Sequence, residues 1–141
     1  MRKVISVVII LVLASCSSTK TKDISTPLYS VLISSEYGGG NFQFYEIFTE
    51  EKEFKMLLGD EELKKLVQPN DIATSNFVLL NMGEKTSGGY SIEVVNVEEL
   101  SDKIIVTVKE NAPKAGENVT NAITNPYAVV KINSKKPIEI K

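Results

Sequence analysis

FVLLNMGEKTSGGYSIEVVNVEELSDKIIVTV, residues 77–108, is the stretch that decides the fold. Phe77 to Met82 is a short run rich in apolar residues, and the glycines of the next segment form a turn signal. Tyr90 to Val97 opens with alternation, Tyr90, Ile92 and Val94 against Ser91 and Glu93. The alternation fails at Val95, where a β-bulge is expected. Glu99-Leu100-Ser101-Asp102 makes a second turn. Ile104, Val106 and Val108 then alternate with Ile105, Thr107 and Lys109, the pattern of a half-buried antiparallel strand.

Working outward, Tyr29–Ser34 and Phe42–Phe48 read as strands joined through Gly38-Gly39-Gly40-Asn41, and together predict a β-hairpin with a loose tip. Thr49 is an expected N-cap, with Glu50, Glu51 and Glu53 placed where carboxylates favour the helix dipole. Phe54, Leu57 and Leu58 share one helical face, and so do Leu63, Leu66 and Val67. At about 100° per residue the two sets are half a turn out of phase. Gly59 and the acidic Asp60-Glu61-Glu62 resolve the conflict as a stop and a fresh N-cap, giving two short helices closed off by Pro69. Downstream, Ala112 to Asn121 is a polar loop, Tyr127–Ile132 a strand and Ile138–Ile140 a last one. The expected fold is α+β: mostly antiparallel sheet, as a sandwich or partly open barrel, with a short two-helix segment inserted after the first hairpin.

The amino terminus reads differently. Arg2 and Lys3 precede an apolar run from Val4 to Leu13, and then Leu13-Ala14-Ser15-Cys16. A charged start, a short apolar run and small residues before a cut site make a signal peptide. The run is too short for a membrane span, which needs about 18–20 apolar residues. The Cys after Leu-Ala-Ser resembles the bacterial lipobox, which implies a diacylglyceryl group on Cys16. It is the only Cys in the chain, so no disulfide competes for it. Residues 1–15 are therefore expected to be removed, 16–27 to form a polar tether, and 28–141 to form one domain on a membrane, the outer favoured over the inner. Acyl chains at about 0.8 kcal/mol per buried methylene supply the anchor. Removing residues 1–15 takes Lys+Arg from 16 to 14 against 18 acids, moving the formal charge from −2 to −4. A mildly acidic domain without clustered cations argues against nucleic acid as a partner.

The chain has no His. That excludes Ser-His-Asp and Cys-His nucleophilic sites and His-based zinc ligation. Lys85 and Ser87 lack any motif for a Ser-Lys dyad. Gly83-Glu84-Lys85-Thr86 lacks phosphate-loop spacing. No catalytic residue, metal or cofactor is expected.

Gly83-Glu84-Lys85-Thr86-Ser87-Gly88-Gly89-Tyr90-Ser91-Ile92 and Ala122-Ile123-Thr124-Asn125-Pro126-Tyr127-Ala128-Val129-Val130 each lead from a turn into a strand that begins with Tyr. Together they resemble the carboxy-terminal domain of the PrcB family, over roughly Phe77 to Ile132. Thr86 and Ser87 depart from the Pro and Thr of the family pattern. The resemblance implies a non-catalytic accessory module of a protein complex, with a protease complex as a candidate partner. The contact surface expected from it is Lys85, Gly88, Gly89 and Tyr90 with Thr124, Pro126 and Tyr127, since Tyr gives large rigid area at small entropy cost. Two alternatives stand beside this reading. One is a loop-based peptidase inhibitor of the chagasin type, from the faint similarity of Thr86–Tyr90 to its Thr-Thr-Gly-aromatic loop. The other is a structural envelope protein without a specific partner.

Overall fold

The computed structural model describes residues 26–141. The expected signal peptide, Cys16 and most of the expected tether lie outside the described residues. The chain runs β1 (Tyr29–Ser35), β2 (Gln43–Phe48), α1 (Glu51–Leu57), α2 (Leu63–Leu66), a 3₁₀ turn (Asp71–Ala73), β3 (Asn76–Met82), β4 (Ser91–Glu99), β5 (Ile104–Asn111), β6 (Tyr127–Ile132) and β7 (Ile138–Ile140). Two open sheets result, one ordered β1-β6-β3-β2 and the other β4-β5-β7. All pairings are antiparallel except that of β5 with β7. No barrel closes. Among the described residues no helix is long and apolar enough to cross a membrane.

The expected hairpin does not form. β1 pairs with β6 and β2 with β3, so the two strands occupy opposite edges of the four-stranded sheet. Gly38–Gly40 spans the sheet end instead of turning a hairpin. The physical reason is that β3 and β6 are the apolar strands, and the half-exposed β1 and β2 flank them.

β3 and β6 are buried on both faces. Phe77 and Val129 point into a cluster with Phe54, Leu57 and Leu63 of the helices. Val78, Leu80, Val130 and Ile132 point into a second cluster with Ile92, Ile104 and Val106 of the three-stranded sheet. Alternate residues of a strand face opposite sides, so a strand covered on both faces must be apolar throughout. Val78–Leu80 and Ala128–Val130 obey that rule.

The helical break falls at Gly59 as expected. A capping box opens α1, with Glu50 as N-cap rather than Thr49: the Glu53 carboxylate accepts from the Glu50 N–H at 3.2 Å and also from the Thr49 N–H at 3.0 Å. Asp60 Oδ1 accepts from the N–H groups of Glu62 and Leu63, both at 2.9 Å. Helical structure does not end for good at Pro69. The Asp71 carboxylate accepts from the Gln68 N–H at 2.9 Å and stabilises the 3₁₀ turn.

Lys131 of β6 lies 2.9 Å from Asp71. Burial pushes the Asp71 carboxyl upward, but the Gln68 N–H and the Lys131 ammonium outweigh it and hold it below the ordinary value. A depressed folded pKa stabilises above the unfolded value near about 4 and loses that contribution as pH falls through the folded value. Lys131→Met is therefore expected to lower stability at pH 6, and the gap from the wild type to shrink below about pH 4. Urea unfolding across pH checks this.

Candidate functional site

The two loops singled out in the sequence meet at one end of the four-stranded sheet. The Lys85 N–H donates to the Thr124 carbonyl at 2.8 Å and the Thr124 N–H to the Lys85 carbonyl at 3.0 Å. The Thr124 hydroxyl donates to the Ser87 carbonyl at 2.8 Å, and the Gly88 N–H to the Thr120 carbonyl at 2.9 Å. Only Gly89 of the glycine pair has positive φ, +84°, with Val119 and Pro113 closing over the place a Cβ would take.

Gly88, Thr124 and Pro126 are buried, Lys85, Tyr90 and Tyr127 half-buried, and Gly89 exposed. The two tyrosines do not share a surface. Tyr90 packs on the cluster between the sheets, with Lys85 Nζ 5.7 Å from its ring centroid. Tyr127 packs on the helix-side cluster. The loops come together through backbone, and three of the seven residues face inward as parts of the joint. Thr124→Val, which keeps shape and removes the hydroxyl, is expected to cost about 1 kcal/mol or slightly more, measured by thermal unfolding.

A third loop locks onto this joint. Asn125 donates its N–H to the Glu36 carbonyl and accepts the Gly39 N–H, both at 2.9 Å. The fully buried Asn81 of β3 accepts the Gly40 N–H at 2.9 Å and donates to the carbonyls of Gly40 and Phe42. Beside this knot a groove of about 170 Å³ opens between the sheet and the helices, floored by Leu79 and Val129 and rimmed by Phe44, Asp60 and Tyr127. The Tyr127 phenol is raised above its ordinary pKa, by burial first and then by Asp60 and Glu62.

Some of the exposed large apolar residues lie on and around β2, while Val31, Leu66, Val95 and Ile123 are scattered elsewhere. Phe42 is 83% exposed, Phe44 40% and Tyr45 37%, with Met56 of α1 nearby at 74%. Glu110 of β5 accepts hydrogen bonds from Gln43 Nε2 and the Tyr45 hydroxyl. The Tyr45 pKa is pushed up to about 12, by burial first and then by that carboxylate. Among the described residues no group of three Cys, Asp or Glu is placed to hold a metal. Sequence reasoning missed this edge. Four aromatics in Phe42–Phe48 were its signal, and they read equally well as core.

The segment from Asn76 to Asn133, with two central strands, a bulged hairpin and two backbone-tied loops, is the unit to compare with known proteins. Residues 76–133 match the family model described as PrcB C-terminal. The PrcB C-terminal match covers β3 to β6 and less than half of the chain, leaving β1, β2, both helices and β7 outside it. An uncharacterized protein of Methanocaldococcus jannaschii is 31% identical over 64 residues, 45% of this chain and 38% of that protein. The chain thus spans well under half the length of that relative. No solved structure matches.

Proposed function

We propose that this chain is a non-enzymatic cell-envelope lipoprotein, anchored through Cys16, whose β-sandwich domain binds another protein, with a protease complex among the candidate partners. The observation that carries the reading is the exposed aromatic edge around Phe42, Phe44 and Tyr45. Phe44 and Tyr45 point to opposite faces of β2, so it is the edge itself, flanked by large side chains on both faces, that a partner would cover. The PrcB C-terminal match supports an accessory role, and a chain without His supports a non-catalytic one.

The test is affinity capture from solubilised envelope with three forms of the full chain: wild type, Phe42→Ala/Phe44→Ala and Cys16→Ser. A partner held by the wild type and lost by the folded double variant supports the reading. Cys16→Ser is expected to leave the membrane fraction while keeping the partner. Absence of any specific partner in the wild-type eluate overturns the binding role, and membrane retention of Cys16→Ser overturns the anchor.

A further inference from the structure

Sheet edges are hazards, and folds blunt them with bulges, charge or brevity. Three of the four edges here are blunted. β1 is bulged between Val31 and Ile33, and β4 is bulged between Val94 and Asn96 and carries Glu93, Glu98 and Glu99. β7 is three residues long. β2 has none of these devices: six residues in continuous register with β3, no Pro, and one charge, Glu46.

The direction of its backbone groups follows from the ladder. Met82 donates its N–H to the Pro126 carbonyl, so Met82, Leu80 and Val78 hydrogen-bond toward β6. Their neighbours on β2 are Gln43, Tyr45 and Ile47. The N–H and C=O groups of these three therefore point to the free edge, while Phe44, Glu46 and Phe48 bond to β3. Among the described residues nothing pairs with the backbone of these three, which face outward with the spacing of a ladder, beside exposed aromatics.

We infer that β2 is a strand-addition edge that takes an extended basic segment of a partner protein as a fifth strand of the sheet. This rests on the protein-binding reading above and names the partner's chemistry. Glu46 is exposed on the helix side of β2, and Glu110 is exposed on the opposite side, where Gln43 and Tyr45 hold it. Neither pairs with a described cation. Neighbouring residues of an added strand point to opposite faces, so two adjacent Lys or Arg reach both carboxylates. A second copy is disfavoured, because pairing β2 with itself gathers Glu46 and Glu110 of both chains at one seam. The edge lies outside the PrcB C-terminal match, so it is a property of this chain and not of the matched segment.

The probe is an acetylated, amidated peptide, Thr-Val-Val-Lys-Lys-Val-Val-Thr, with a Glu-Glu version as control. Residue-resolved amide exchange of the full chain in detergent micelles is the readout. The Lys-Lys peptide is expected to slow exchange at Gln43, Tyr45 and Ile47, and the Glu-Glu peptide to bind at least about tenfold more weakly. Tyr45→Pro removes the central outward N–H, which the fold does not use, and is expected to abolish protection while the rest of the exchange pattern stays native. Glu46→Gln/Glu110→Gln is expected to erase the preference for lysine. The inference falls if millimolar Lys-Lys peptide slows none of the three amides. It also falls if sedimentation shows a dimer that Tyr45→Pro dissolves, which assigns the edge to a second copy. If Tyr45→Pro captures the same partner as the wild type, strand addition fails while the binding role stands. If the wild type captures nothing but the peptide protects β2, the binding role fails in the envelope and the edge assignment stands.

Discussion

Phe77→Ala is expected to lower the stability of the domain by about 3–5 kcal/mol, the usual range for truncating a fully buried aromatic. Phe77 is wholly inaccessible and stacks on Phe54, ring centroids 4.5 Å apart. It is the joint between α1 and the sheet. Truncation leaves a void against Phe54, which has no other aromatic stacked on it among the described residues. Set against a typical total of about 5–15 kcal/mol, the loss is a large fraction. Urea unfolding is the measurement: the midpoint falls sharply, and the slope stays unchanged if the denatured state is the same. Phe77→Leu, which refills most of the volume, is expected to recover a good part of the loss. An equal loss in both variants would place the joint elsewhere.

Asn81→Ala is the second large effect, roughly 2–4 kcal/mol. This is less than the full cost of about 1–3 kcal/mol for each of three unpaired groups, because the Gly40–Phe42 backbone is only partly buried. One side chain satisfies an N–H and two carbonyls of the Gly40–Phe42 backbone. Asn81 itself is fully buried, while Gly40 and Phe42 are exposed, so water takes over part of what the side chain supplied. Asn81→Asp is expected to cost more than Asn81→Ala. It offers a carboxylate to two carbonyls that need donors and buries a charge. Gly39 reports on the same knot. A Cβ there would lie 2.3 Å from Asn81 Oδ1 and 2.6 Å from the Asn125 carbonyl, so Gly39→Ala is expected to destabilise by about 1–3 kcal/mol or more. Because the knot fixes the start of β2, amide exchange at Phe44 and Glu46, which bond to β3, should quicken in the Asn81 variants before global unfolding does.

The local pattern carries the strands well and their partners poorly. Alternation places β4 and β5, and its failure at Val95 marks the observed shift between Val94 and Asn96. The phase conflict between Phe54 and Leu63 places the helical break at Gly59. Each of these is settled within a few residues. The pairing of Tyr29–Ser35 with Tyr127–Ile132 is not, because nothing in either run names the other and adjacency in sequence is only a tendency. The parallel β7 is too short to show a period. At the candidate site, Gly88, Thr124 and Pro126 stand out by residue type, yet their burial shows that type answering to the backbone joint. The opposite facing of Tyr90 and Tyr127 depends on which sheet face each strand start presents, which is a tertiary property. QFYEIF suits a central strand as well as an edge, so the openness of β2 is visible only once the sheet order is known.

Tyr29 sits opposite Ile132, so β1 finds its hydrogen-bonding partner about a hundred residues further along the chain. On a ribosome, where residues emerge in order, β1 stays unpaired until nearly the whole domain is outside the tunnel. The sheet therefore closes only once β6 is available, and the long loop that must shut slows that closure. Until then the apolar β3 has only β2 beside it in the sheet, and its β6 side is bare. The nascent chain is most vulnerable to aggregation, and most open to chaperone capture, in the interval between the emergence of β3 and that of β6.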